Sequence, residues 1–491
     1  MNEAHAPSAR FAALRLPFCA ALVFGLSAHG FWLTNKIPFD DDLPNMWNKG
    51  ATSVSGRYGL ELLRLVMPDR SMPWIYGLMS LIFLALAVCV TVRLFEIRSR
   101  VLQVLLAGVF VSFPAETGTI GYLFTAAPYA FALLLTVAGV WLFAADTRGR
   151  WIAAPLLIAF SCSIYQGYFA FASGLCVIWM IRALICTEES PRRVLADGLR
   201  LLAMLLASLA LYALVILLFS RLLRLPLLEE AVNTRQSLPL RMAVAYSAWL
   251  KTLFRGYFAY VNSPASRFFH VLLLLAGAAA AGLRLRGRWH AGRILLLAVC
   301  LGLFPMSCYC LYLLADNAYI HALALYPFAC LYVLCTVLLD GAALRLPRAA
   351  AAAALAVILL NNVYFANAVS LRAWLQYENA RALYTSVITR VCALEGFDEN
   401  SSLAILGDAP ALQTDFSPYF DFSRFTLPGV NILDVRQAEP LIHSYLGCDI
   451  PFADEKTAAA IADSAEFAAM PVYPYPGSIR KFVDVIVVRF S

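Results

Sequence analysis

The sequence predicts a mainly α-helical bundle of about eleven membrane-spanning helices, followed by a small water-facing α/β domain at the C-terminus. Three observations carry that expectation. Only 14% of the 491 residues are charged and 61% are hydrophobic, whereas a soluble domain needs roughly a quarter charged residues to cover its surface. Apolar stretches of about 20 residues, the length that crosses a hydrocarbon core, recur along the first three quarters of the chain. The arginines sit in short clusters between those stretches. The net charge of +7 therefore reads as membrane orientation, and a nucleic-acid partner, which needs one basic face, is excluded.

Taken in order, the expected spans are Phe11–Leu33, Pro73–Val92, Val101–Phe113, Tyr122–Ala145, Trp151–Ile164, Gly167–Ile185, Leu201–Ser220, Phe268–Gly282, Ile294–Leu314, Ile320–Leu339 and Ala349–Ala368. The first lacks a small-x-small cleavage site and is read as a retained helix. Placing Arg10 and Arg15 in the cytoplasm puts the clusters Arg93/Arg98/Arg100, Arg148/Arg150, Arg192/Arg193/Arg200, Arg284/Arg286/Arg288/Arg293 and Arg345/Arg348 on the same side. The opposite turns around Ala115–Gly121, Tyr165–Gln166 and Ala315–Tyr319 contain no Lys or Arg. That asymmetry is the positive-inside pattern, and an odd number of spans then puts the C-terminus outside the cytoplasm.

The domain boundaries expected are 1–369 for the membrane part and 370–491 for the soluble part. Two outer loops are long, 34–72 and 221–267. The second carries Glu229 and Glu230, and its stretch Met242–Tyr260 reads as an interfacial helix in which Trp249, Phe254, Tyr257 and Tyr260 alternate with Lys251 and Arg255. In the tail, Ser370–Leu394 reads as an amphipathic helix, Ser402–Leu406 and Phe482–Phe490 as strands, Ala453–Met470 as helical and Pro471–Gly477 as a loop. Ten of the twelve cysteines, Cys19 to Cys335, lie in or beside apolar spans without metal-ligand spacing, the C-x-C pair Cys308 and Cys310 included. Cys392 and Cys448 fall in the tail, where a disulfide and two free thiols are both open.

The strongest chemical signal is Phe39-Asp40-Asp41-Asp42-Leu43, just beyond the first span. A carboxylate above the membrane can take a proton from a sugar hydroxyl or hold a divalent cation, Mg or Mn; the alternative is an acidic turn capping a helix. Downstream come Trp47, Lys49 and Ser55-Gly56-Arg57-Tyr58-Gly59. The planar fork of Arg57 suits a phosphate, or it anchors the loop at lipid headgroups. Further outer-face candidates are Glu116, Tyr165, Gln166, Asp316, Asn317 and His321. No Gly-rich phosphate loop, Ser/His/Asp set or zinc spacing occurs, so ATP hydrolysis and metalloprotease chemistry lack support.

The first span, Asp41-Asp42-Leu43, Trp47 and Gly56-Arg57 leading into a second span together resemble the GtrII family of bacterial glucosyltransferases. The outer turn Phe113-Pro114, Tyr165-Gln166 and the tail fit the same pattern. The resemblance implies a GT-C-like layout in the bacterial inner membrane, with a catalytic Asp in the first periplasmic loop. It implies transfer of a sugar, typically glucose, from a polyprenyl-phosphate donor to a surface glycan such as lipopolysaccharide O-antigen. The roles it suggests are Asp41 or Asp42 as base, with Asp40 beside them. Arg57 and Lys49 would sit on the donor phosphate, and Trp47, Glu116, Tyr165 and Gln166 on substrate. A metal, if any, would sit on Asp41 and Asp42, and no cofactor is certain. Three Asp stand in the acidic motif, so which pair matches the family's is open, and Lys49 has no place in its pattern. The rival function is a transporter or flippase for a lipid-linked sugar.

Overall fold

The computed structural model describes residues 7–38, 40–46, 55–68, 70–223, 236–257, 260–314, 322–342, 345–398, 401–409, 419–421 and 437–491. From the N-terminus, α1 (Pro7–Thr34) leads through a 3₁₀ turn at Asp40–Asp42 to the short α2 (Tyr58–Leu63). Then follow α3 (Pro73–Leu94), α4 (Arg100–Val111), α5 (Pro114–Gly121), α6 (Leu123–Ala144), α7 (Arg150–Ile164), α8 (Tyr168–Cys186) and α9 (Pro191–Leu223). The second half of the bundle comprises α10 (Leu238–Lys251), α11 (Pro264–Leu285), α12 (Ala291–Cys308), α13 (Leu311–Leu314) and α14 (Ala329–Leu339). The tail adds α15 (Arg345–Cys392), β1 (Ser402–Leu406), α16 (Ala438–Leu446), α17 (Glu455–Ala462), α18 (Ala465–Ala468), β2 (Ile479–Phe482) and β3 (Val485–Arg489).

Each of the eleven apolar stretches contains helix, but they do not all qualify as spans. Among the described residues eight helices are long and apolar enough to cross a membrane. The bent pair α4–α5, with a 46° break, makes a ninth if counted as one span. The other two stretches give apolar helices that are shorter, Arg150–Ile164 and Leu323–Leu339. The chain is a multi-pass membrane protein, and the expected count of eleven exceeds what length and composition establish.

Two boundaries differ for clear physical reasons. The expected outer turn Ala115–Gly121 is the buried helix α5. Pro114 lacks an N–H, so it ends the α4 ladder; at the first position of a helix that loss costs nothing, and α5 starts there. The interfacial helix expected at Met242–Tyr260 is α10, packed on α12 and α13, followed by a π-helical turn at Thr252–Tyr257. Fourteen residues are too few for a further crossing.

On the side assigned to the cytoplasm, some arginines hold helix ends together. Arg293 is buried and donates to the carbonyls of Leu184, Thr187 and Glu189 at 2.6, 3.3 and 2.7 Å, closing the end of α8. Asp340 accepts from the amides of Arg98 and Ser99 at 2.9 Å each, at the start of α4.

The expected eleventh span and amphipathic helix form one 48-residue helix, α15, which crosses position 370 without a break. Its last turns, with Ala380, Tyr384, Val387 and Val391, enter the C-terminal core beside Leu403, Ile405, Leu441, Ile442, Ile486 and Val488. The sheet order is β1-β3-β2, with β1 parallel and β2 antiparallel to β3. Side chains alternate across it: Leu403 and Ile486 face α15 and α16, while Ala404 and Val487 face Met470 and Phe467. The expected strand Phe482–Phe490 is thus β3 alone, reached from β2 by a turn in which Val483 has φ +53°. The helical region Ala453–Met470 divides into α17 and α18 where Ser464 caps the second. Cys392 and Cys448 are free thiols within electrostatic reach of each other.

Orientation is testable directly. A reporter enzyme active only outside the cytoplasm is expected to give full signal when fused after Ser491 and none when fused within the Asp146–Arg150 turn. The opposite pattern inverts the topology.

Candidate functional site

α1 ends where the Asn35 side chain donates to the Phe31 carbonyl at 2.9 Å, and the acidic turn follows after Lys36 and Pro38. Within it, neighbouring carboxylates have opposite environments. Asp42 is fully buried. One of its oxygens accepts from Lys36; the other accepts from the Ser71 hydroxyl and from the Phe124 amide at 3.2 Å. Phe124 lies in the first turn of α6, so Asp42 satisfies an orphan N–H there and meets the positive end of the helix dipole. Asp42 thus combines a helix-end cap with a buried ion pair. Leu43, next in the chain, is 1% exposed inside the C-terminal core.

Asp41 is exposed. Its carbonyl accepts from the Asn45 side chain at 2.6 Å, and its charge reaches Arg57. Asp40 opens the turn, and its side chain lies outside the described residues, as do Trp47, Lys49, Glu229, Glu230, Asp316, Asn317 and His321.

Arg57 precedes α2. It donates to the Tyr129 hydroxyl at 2.8 Å, and its guanidinium lies 5.9 Å from the Tyr129 ring and 5.6 Å from that of Tyr165. Those two rings stack on each other at 4.5 Å. Tyr129 above all, then Tyr165, Tyr212 and Asp41, push the guanidinium pKa upward against the effect of burial. The Nε atom is buried without a hydrogen-bond partner among the described residues, so there the cation is held but not saturated.

The backbone beside it is strapped down. Gln166 donates to the Ser55 carbonyl at 2.7 Å and to the Tyr212 hydroxyl at 2.9 Å, while Tyr212 donates to the Gly56 carbonyl at 3.3 Å. Gly56 has φ +72° with Tyr212 directly above it, a conformation that strains any other residue. Gly59 lets α2 lie against α7: an added Cβ would overlap Ser163 Oγ and meet the Ser163 backbone at 3.0 Å. The break between α7 and α8, where Tyr165 and Gln166 stand, therefore builds the seat of Arg57.

Glu116 lies deeper. It is fully buried on α5, with both carboxylate oxygens unpartnered among the described residues, against Tyr168 and Tyr326. Tyr168 contacts Tyr165 edge-on at 5.1 Å, so Glu116 is one aromatic ring removed from the Arg57 seat.

For a divalent cation the acidic turn is poorly suited, because both Asp42 oxygens already have donors. Among the described residues no group of three His, Cys, Asp or Glu could hold a metal.

Sequence reasoning missed Lys36, Ser71, Tyr129 and Tyr212. Lys36 alone had a signal, as the only cation between the first span and the acidic motif. An apolar groove of about 440 Å³ runs between α8, α9 and α12, lined by residues including Phe169, Met180, Leu195, Leu209 and Cys300. Leu209, near its end on α9, is about one turn from Tyr212.

A family model described as Glucosyl transferase GtrII matches residues 30–337, well over half of the chain. No curated protein and no solved structure matches. The matched stretch takes in the acidic turn, Arg57, Glu116, Tyr165 and Gln166, and stops within α14.

Two substitutions test this geometry. Asp42→Ala strips the cap from α6 and leaves Lys36 without its carboxylate, so the melting temperature in detergent should fall, by about 3 kcal/mol of stability. Gly59→Val should lever α2 from α7 at a cost of about 1–3 kcal/mol; a wild-type melt for either variant contradicts the packing described.

Proposed function

The chain belongs to the glucosyl transferase GtrII family, which implies a glycosyltransferase; on that premise we propose that it moves glucose from a polyprenyl-phosphate donor to a surface glycan such as O-antigen, at the outer face of the bacterial inner membrane. The observation that carries this reading is the convergence of an exposed carboxylate, Asp41, and a seated, unsaturated cation, Arg57. The groove between α8, α9 and α12 adds support, because it is lined almost wholly by apolar side chains and ends near Tyr212, which braces the Arg57 segment.

In the proposed reaction Asp41 takes the proton from the acceptor hydroxyl as its oxygen attacks the anomeric carbon. The bond from that carbon to the phosphate oxygen breaks, and its electron pair leaves with polyprenyl phosphate. Attack opposite the leaving group inverts the anomeric centre. Arg57 stabilises the growing phosphate charge, an effect that is large where water is scarce. Asp42, its oxygens engaged, acts as the anchor of the turn. Tyr165 and Gln166 serve the donor by fixing Arg57. The transport reading draws on Glu116, an enclosed carboxylate at the broken span without a partner among the described residues.

Purified protein given synthetic polyprenyl-phosphate glucose and O-antigen polysaccharide is expected to form the glucosylated product. Asp41→Asn should abolish transfer at a normal protein level, and Arg57→Lys should lower kcat by about 100-fold. Donor movement across vesicles without product would favour transport. Full activity of Asp41→Asn would remove that residue from the chemistry.

A further inference from the structure

Asp42 accepts from donors that differ in kind. The Ser71 hydroxyl and the Phe124 amide stand at the starts of α3 and α6, whereas Lys36 reaches Asp42 by a long side chain, 22% exposed, that also donates to Ser71 Oγ at 2.8 Å. A further hydroxyl lies within the field of the same carboxylate. Tyr445, on α16 of the C-terminal domain, lies within its electrostatic reach. The Tyr445 hydroxyl is enclosed and has no hydrogen-bond partner among the described residues. Its ring packs edge-on against Tyr377 at 5.4 Å. Burial, then Asp42 and Tyr377, push the phenol upward, so the hydroxyl stays protonated. Leu43 shares one core with Leu441 and Ile442 of α16, which keeps that helix against the turn.

A buried donor left unpaired costs folding free energy. Phenylalanine at position 445 would fill the same space without that cost. A local conflict of this sort, next to an acidic turn, marks a functional position.

We propose that Tyr445 is a positioning residue that takes the place of Lys36 at Asp42 during turnover. Lys36 on Asp42 and Arg57 within the field of Asp41 flank the turn, so both cations stand beside the place where the phosphate leaves. As Lys36 turns toward that phosphate, the Tyr445 hydroxyl donates to the Asp42 oxygen it vacates. The turn, and Asp41 with it, keeps its position. Only hydrogen bonds change; the proton stays on Tyr445. The kinetic consequence rests on the transferase reading above, while the exchange of donors does not.

Thermal melts of the purified full-length protein test the exchange. Tyr445→Phe alone should melt at or slightly above the wild-type temperature. In a Lys36→Met background, where Tyr445 already serves Asp42, the same change should lower the melt by at least about 2 °C. Equal effects in the two backgrounds overturn the exchange. With polyprenyl-phosphate glucose as donor, Tyr445→Phe should lower kcat at least about fivefold while donor KM stays within about twofold; an unchanged kcat overturns the role in turnover. If Lys36→Met does not fold, the kinetic result for Tyr445→Phe decides. A wild-type protein that transfers no sugar defeats the transferase reading and leaves the melts to judge the exchange.

Discussion

A carboxylate taken out of water must find donors, and at Asp42 they come from distant parts of the chain: Lys36 beyond the first span, Ser71 before α3 and Phe124 in α6. Removing any one leaves a buried charge short of partners, which costs more than the contact itself contributes. The turn is in effect a non-covalent cross-link between the exit of one helix and the entries of two others. Leu43 extends the link into the C-terminal core. Successive residues of a 3₁₀ turn point about 120° apart, so anchoring Asp42 inward presents Asp41 outward. One carboxylate holds the loop and its neighbour stands on the exposed side of the turn.

Arg57 is treated differently. Within the field of Asp41, the face and hydroxyl of Tyr129 and the ring of Tyr165 hold it by quadrupole and dipole. Among the described residues its Nε donor has no partner. On the proposed transferase reading, a cation fixed in this way would serve a leaving phosphate. The aromatic seat is assembled from α6 and from the break between α7 and α8, elements packed on one another within the bundle.

Much of this was legible in the sequence, because lipid demands long apolar runs and α-helices satisfy their own backbone there. The acidic turn, Arg57, Tyr165 and Gln166 were each singled out, and the fold brings the last three together. What stayed hidden depended on long-range burial. Asp40, Asp41 and Asp42 look alike locally, and only the approach of Lys36, Ser71 and α6 separates an anchor from an exposed neighbour. Pro114 reads as a stop, yet it opens α5 and carries Glu116 inside. The composition changes at Ser370 although the helix axis does not. Tyr445 is an unremarkable tyrosine in a polar tail, and only folding brings it into the field of Asp42.

The unbroken α15 has a mechanical consequence. At 1.5 Å per residue its 48 residues extend roughly 72 Å, more than twice a hydrocarbon core. The outer turns are structural members of the C-terminal core, so this helix is a stiff rod with a weight fixed to its end. A tilt of about 5° around its midpoint swings that end by about 3 Å, the length of a hydrogen bond. Helix tilt is set by packing against neighbouring helices, here α1, α4 and α11. A change in how that helix packs against its neighbours is thereby carried, through a lever of backbone alone, to how closely the C-terminal domain sits on the acidic turn.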